Sequence, residues 1–413
     1  MNEKARSMKR ADGPLAGVTV LDLTQFLAGP YASQILGDLG ARVIKIEPPA
    51  GDMTRGMPPY FFKGESAYFL GVNRNKESVV LDLKLEPGRA LLLRLVKHAQ
   101  IVLENFRPGV AARLGVDYEQ IRAVNPAAVV CSLSGFGQDG PYRDLPAYDI
   151  VVQALSGGMS LTGEEQGKPV RSGIPLGDLA GGMFTVIGAL AALAQATKTG
   201  EGKYVDVSLL DCQISMLSYQ AAYHLIGGEI PGPQGRGHRS IPTYRAFTCA
   251  DGIEIVVAAT TEKMWRGLCE VLGLGALAAD PRFVLNDARL GNRAALDALL
   301  EGAFARVRSE AVLAELARAE VPAAPINTVD RALADPQVRH RDMVVDLIDD
   351  DGDSVRVAGN PVKVSGYSSR QHTYPPGLGA HSRSVLRELL GATDDEMDRL
   401  EGQGVISSSG TKT

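Results

Sequence analysis

The chain has 413 residues, 45% hydrophobic and 22% charged, which excludes a disordered chain and suits two domains rather than one. Its formal net charge of −5, with basic residues spread out, excludes the electrostatic footprint of a nucleic-acid binder. Four cysteines lie far apart (Cys131, Cys212, Cys249, Cys269) and six histidines are scattered; this excludes a stapled secreted scaffold, offers no metal-ligand spacing, and suits a reduced, cytoplasmic protein.

The opening MNEKARSMKRADG lacks an apolar core, so it does not read as a signal peptide. Residues 1–13 and 401–413 are expected to be flexible tails. Val18–Leu23 reads as a buried strand, and Arg42–Glu47 as a second. Between them Pro30 suits a first helical turn and Gly40 the position after a last one. Strand–helix–strand implies parallel pairing with a right-handed crossover. A strand at Val79–Leu83, a helix at Pro87–Ala99 and a strand at Ile101–Glu104 continue the alternation, then short helices around Gly109–Leu114 and Tyr118–Val124 and a strand at Ala128–Leu133. The pattern predicts an α/β fold with an open, Rossmann-like parallel sheet. Gly135-Phe-Gly137-Gln-Asp-Gly140 matches G-x-G-x-x-G, but Pro141 and Pro146 follow where a helix must open, so it does not predict a nicotinamide site.

Arg171–Ala196 carries one carboxylate, Asp178, set among Gly177, Gly181 and Gly182. The uncharged run Leu179–Thr197 reads as a buried helix; its glycines, threonines and alanines make it too weakly apolar for a membrane span. On the residues alone Asp178 is an N-cap, and the glycines leave room for another backbone or a ligand. Asp206–Ile226 reads as a second long helix. Gly227–Pro242 has linker or binding-loop composition, and Tyr244–Ala259 reads as two strands about Asp251-Gly252. Helices follow around Glu262–Leu272, Asn292–Arg306 and Ser309–Ala319. The expected domains are 14–227 as the first part of a large α/β domain, 228–330 as a smaller α+β domain, and 331–400 returning to the first.

Two segments stand out for chemistry. Asn73-Arg74-Asn75-Lys76 could grip phosphates or simply be a solvated turn. Glu104-Asn105-Phe106-Arg107-Pro108-Gly109 ends a strand, and open α/β sheets bind ligands at the carboxyl ends of strands.

In order and spacing, GVTVLDLTQFLAGPYASQILGDLGARVIKIEPPAGDMTR, NRNK, ENFRPG, SGFGQDGPY, YDIVVQALSGGMSLTG, GDLAGG and TGEGKYVDVSLLD resemble the class III CoA-transferases over about residues 14–390. The resemblance implies Asp178 as a nucleophile that takes an acyl group as a mixed anhydride and then CoA as a thioester. A free Asp ionises near 3.9, so no base is expected to be needed. It implies CoA contacts at Ala28, Arg74, Lys76, Asn105, Phe106 and Arg113, acyl-CoA and carboxylic acid substrates with no tightly bound cofactor, and an interlocked homodimer with no membrane partner. Where formyl-CoA transferases carry glutamine the chain has Leu27, and where they carry a glycine run it has Gly235–Ile241, both against oxalate and formyl-CoA as the natural pair. Arg236, His238 and Arg239 in that loop are candidates for the distal carboxylate of a dicarboxylic acyl group such as succinyl, or else for CoA phosphate or solvent. The related α-methylacyl-CoA racemases place histidine where this chain has Tyr148, which disfavours an acid–base isomerase; a CoA-binding protein without chemistry is the remaining alternative.

Overall fold

The computed structural model describes residues 13–367 and 372–408. These form two compact units. One gathers 13–158, 172–222 and 336–408; the other gathers 159–171 and 223–335.

The first unit contains β1 (Thr19–Asp22), α1 (Ala28–Asp38), β2 (Arg42–Glu47), β3 (Lys76–Val80), α2 (Glu86–Val96), β4 (Ile101–Glu104), β5 (Val129–Ser134), α3 (Asp149–Leu155), α4 (Leu176–Thr199), β6 (Tyr204–Ser208) and α5 (Leu209–Met216). The six strands form one sheet in the order β3-β2-β1-β4-β5-β6, with every pair parallel. Successive residues of a strand face opposite ways, so a sheet covered on both faces needs apolar residues throughout. Leu21, Ile44, Val79 and Val130 pack on one face, and Val20, Val43, Ile101 and Val129 on the other with α1 and α4. Strand order reverses between β1 and β4, and ligands of such sheets bind outside the carboxyl ends at this crevice.

β3 is an edge strand, and the returning chain covers it. The Asn75 N–H donates to the Thr373 carbonyl at 3.3 Å, the His381 N–H to the Ser78 carbonyl at 2.9 Å, and the Val80 N–H to the Ser382 hydroxyl at 3.0 Å. Pairing of this kind removes an exposed strand edge.

The second unit holds β7 (Gly237–His238), β8 (Ile241–Thr248), β9 (Glu254–Ala258) and β10 (Ala323–Pro325), antiparallel in the order β10-β9-β8-β7. Its core sets Trp265, Leu268, Leu300 and Leu316 around Phe247 and Phe304, whose rings stack at 4.3 Å.

Four expectations change. Residues 159–171 join the smaller unit, because the Gly235 N–H donates to the Gly163 carbonyl at 3.1 Å. The helix expected over 206–226 is three elements. β6 continues to Ser208, whose hydroxyl accepts the Asp211 N–H at the start of α5, and Ser218 at φ 49° breaks α5 from the helix Tyr219–Gly227. The strand expected from Val79 begins at Lys76. The closing segment is packed beyond 401: Val405 and Ile406 are buried, and the Asp82 N–H donates to the Val405 carbonyl at 2.9 Å. The remaining parts of the expected tails, 1–12 and 409–413, lie outside the described residues.

Candidate active site

The reversal between β1 and β4 is bridged by one side chain. Asn105, just past β4, accepts the Gln25 N–H at 3.0 Å and donates to the Gln25 carbonyl at 2.8 Å. The loop after β1 is thereby held as Phe26 takes φ 68°, a left-handed conformation that costs a non-glycine residue about 1–3 kcal/mol. Phe26 turns the chain into α1, at whose start Leu27 and Ala28 are buried. Asn105 thus shapes the crevice, with its oxygen and an amide hydrogen already engaged. Phe106 packs against the core beneath it. Its N–H donates to Glu104 at 2.7 Å, and burial pushes the Glu104 carboxyl up to about 6. Arg113 is exposed on the short helix Val110–Leu114 and is able to meet an anion from solvent.

Arg74 and Lys76 do not face a ligand. Arg74 forms a two-pronged pair with Asp38 at 2.9 and 2.6 Å and donates to the Ala358 carbonyl at 2.7 Å. The Lys76 ammonium is buried on Asp22 at 3.1 Å, the Pro30 carbonyl and Asn73. The phosphate grip expected of NRNK is therefore corrected. The loop leads into the amino end of β3, where a charge out of water needs an internal partner.

Asp178 sits in the first turn of α4, two residues inside it, so it is not the N-cap. Among the described residues its carboxylate accepts no hydrogen bond and meets no cation. Burial pushes it up to about 7, and the nearby Asp149 charge adds to the effect. The expectation of a carboxylate fully ionised at neutral pH is corrected accordingly. The Asp178 charge in turn helps burial push the Tyr68 phenol up to about 12. Close packing sets the helix position: a Cβ on Gly182 would lie 2.7 Å from the Ala28 carbonyl oxygen, so only glycine lets α4 approach the start of α1 this closely.

The carboxylate that does cap α4 is Asp149, which accepts the Gly177 N–H at 2.8 Å. Sequence reasoning used Asp149 only as a landmark. Its signal was the spacing of Asp149 and Gln153, one helical turn apart, which lets the glutamine amide reach the carboxylate.

Arg236, His238 and Arg239 belong to the second unit. Arg236 pairs with Glu254 at 2.7 Å, and Arg239 pairs with Glu229. The His238 Nδ1 accepts the Ser240 N–H at 3.2 Å, and its ring lies 5.6 Å from that of Tyr244. Arg236, His238, Tyr244, Arg245, Glu164 and Glu254 line a cavity of about 500 Å³, large enough for a small organic acid. Arg239 does not line it.

Comparison with known proteins fits this arrangement. Residues 15–382 match CoA-transferase family III. The chain belongs to that family. A succinate–glutarate CoA-transferase of Agrobacterium fabrum is 40% identical over 91% of this chain and 96% of its own length. An acetyl-CoA:oxalate CoA-transferase of Acetobacter aceti is 42% identical over the same shares of the two chains. A solved CAIB/BAIF family protein from Brucella suis superposes with a TM-score of 0.82 at 39% identity, covering 92% of this chain and all of that one. This class III CoA-transferase is therefore an enzyme acting on CoA thioesters, with Asp178, the Asn105 bridge and the α1 start gathered in its first unit.

The raised Asp178 carboxyl has a thermodynamic sign. A carboxyl that holds its proton more tightly folded than unfolded adds no penalty below its unfolded value near 3.8. As pH climbs from there toward 7 it destabilises the fold progressively, by about 1.4 kcal/mol for each pKa unit of difference. Asp178→Asn is therefore expected to stabilise the enzyme, and by about 2.5 kcal/mol more at pH 8 than at pH 5, in urea denaturation. An equal gain at the two pH values would show that the carboxyl is not perturbed.

Proposed function

We propose that this enzyme moves CoA from succinyl-CoA to a dicarboxylic acid of the glutarate kind through covalent intermediates on Asp178. The observation that carries the reading is a carboxyl, met by no cation among the described residues, in the first turn of a helix that glycine packs tightly against the crevice. Its ionised form attacks the thioester carbonyl; the C–S bond breaks, CoA leaves as thiolate, and Asp178 becomes a mixed anhydride. The thiolate then attacks the aspartyl carbonyl, releasing succinate and leaving an aspartyl–CoA thioester. The acceptor carboxylate repeats the sequence in reverse, so the thioester bond is conserved throughout. The raised carboxyl supports nucleophilicity, because a more basic oxygen attacks more readily once deprotonated. Succinate and glutarate follow the name of the Agrobacterium fabrum relative, and succinyl-CoA as donor that of a succinyl-CoA:glutarate CoA-transferase of Mus musculus; the Acetobacter aceti relative makes acetyl-CoA and oxalate the competing pair.

Incubation with succinyl-CoA followed by hydroxylamine or borohydride is expected to modify Asp178, read by peptide mass. Asp178→Ala is expected to abolish CoA exchange. Exchange surviving in that variant would end the reading, and faster turnover of acetyl-CoA with oxalate would replace the substrates.

A carboxylate of the dicarboxylic acid is assigned to Arg236 in the cavity of the second unit, in exchange for Glu254, with His238 beside it. Arg236→Ala is expected to raise the Michaelis constant of glutarate by about tenfold, the scale of one charge-assisted hydrogen bond, and to leave that of acetate unchanged. Equal effects on the two acids would remove Arg236 from recognition.

The working form is proposed to be a homodimer. Met183, Phe184 and Ile187 on α4 are exposed, as are Leu225, Ile226 and Ile230, and a second copy would cover such apolar surface. Sedimentation velocity at micromolar concentration is expected to show twice the chain mass, and a monomer there would contradict it.

A further inference from the structure

The first turn of α4 has no capping side chain of its own. Its acceptor comes from a helix that begins far back in the chain. Asp149, the first residue of α3, takes the Gly177 N–H at 2.8 Å and the Asp178 N–H at 3.4 Å on one oxygen. Its other oxygen takes the Gln153 Nε2–H at 2.6 Å. Gln153 is 3% exposed, and its carbonyl oxygen accepts the Ser172 N–H at 2.9 Å. Asp149 and Gln153 together therefore hold both ends of the segment that delivers Asp178. All three groups directed at Asp149 are N–H donors, and an ionised carboxylate is the form that accepts them all.

Space is reserved for this carboxylate. A Cβ on Gly177 would lie 3.0 Å from its oxygen and 3.4 Å from the Gln213 amide nitrogen. Gln213, 5% exposed on α5, accepts the Ser156 hydroxyl at 3.2 Å and so closes the cluster at the far end of α3. On the other side, Tyr148 sets its ring edge to Phe26 at 6.1 Å and 71°, in the loop that Asn105 clamps. The start of α3 thus touches the strand crossover and the start of α4 at once.

We propose that Asp149 is the positioning residue of the transfer reaction: its carboxylate, locked by Gln153, fixes the first turn of α4 and so the direction in which Asp178 presents its oxygens. The proposal rests on Asp178 as the nucleophile. Asp149 faces Asp178 from α3 and the Tyr68 phenol faces it from the short helix Ala67–Val72; no cation from α1 or α5 is coupled to it among the described residues. Asp149 therefore sets both the geometry of Asp178 and the charge beside it, and two substitutions separate these. Asp149→Asn keeps an accepting oxygen and removes the charge. Asp149→Ala removes both.

The test combines kinetics with a substrate-free titration. Asp149→Asn is expected to move the acidic limb of kcat to lower pH, and to move the Asp178 carboxyl resonance titration in carbon-13 NMR the same way. Asp149→Ala is expected to lower kcat at every pH with the KM for succinyl-CoA within about threefold, since binding groups lie elsewhere. Gln153→Ala, which leaves Asp149 in place but unlocked, is expected to lose an intermediate part of kcat and serves if Asp149→Ala does not fold. A wild-type kcat in both alanine variants, or a loss confined to KM, overturns the proposal. So does an acidic limb and a titration unmoved in Asp149→Asn. Transfer that persists in Asp178→Ala overturns the nucleophile instead, and is recognised separately because the NMR titration reports on the Asp149–Asp178 pair without substrate.

Discussion

The carboxyl edge of the sheet rests on charges that have no access to water. Asp22, Lys45, Asp52 and Lys76 have fully buried side chains, and each survives there only because another answers it: Lys76 meets Asp22 at 3.1 Å and Lys45 meets Asp52 at 2.9 Å. Lys45 also donates to the Thr24 carbonyl at 2.8 Å, and Asp22 accepts the Ser33 hydroxyl at 2.5 Å. These contacts join β1, β2, β3 and α1 at the level where the loops leave the sheet. Removing one member of such a pair strands the other, a change that typically costs about 3–5 kcal/mol, whereas replacing both members by apolar groups can be neutral. The pairs are thus a weak source of net stability and a strong constraint on register: one loop shifted would leave a buried ion alone.

Asp178 is treated in the opposite way. Among the described residues it meets no cation and lies next to another carboxylate at one helix end, so part of the folding free energy is stored as an unfavourable ionisation. The same chain therefore contains carboxylates pushed down by partners, such as Asp22 and Glu47, and others pushed up by burial, Asp178 and Glu104 among them. Environments that drive like groups apart are how one fold assigns them different roles.

Much of this was legible in the sequence, for reasons that differ by element. Alternating strands and helices, with apolar runs such as VTVLDL, predict a parallel sheet because burial on both faces leaves that mark. The long buried helix that carries Asp178 was legible through its uncharged run, and its close approach to α1 through Gly182. Arg74 and Lys76 were misread because a cation in a loop looks the same in sequence whether it meets phosphate or a carboxylate brought in by another strand; only the fold supplies Asp38 and Asp22. Asp149 escaped notice as a cap for the same reason: its local mark is the Gln153 spacing, whereas a cap drawn from outside the helix leaves no pattern of the kind that S-x-x-E gives. The break at Ser218 was hidden too, because the apolar spacing runs through it while its backbone at φ 49° ends α5.

The division of the chain has a consequence for how it is made. The path crosses between the two units four times, after residues 158, 171, 222 and 335. All but a short stretch of the smaller unit is contiguous, from 223 to 335, so it leaves the ribosome with nearly everything its core requires. The larger unit begins to emerge first and finishes last, because the chain that covers the edge of β3 is not synthesised until after residue 372. Until then its parallel sheet carries an open edge, and contacts of such long sequence separation form slowly. The larger unit is therefore the part most dependent on residues 373–382, and a chain stopped before them would leave its sheet with the β3 edge exposed.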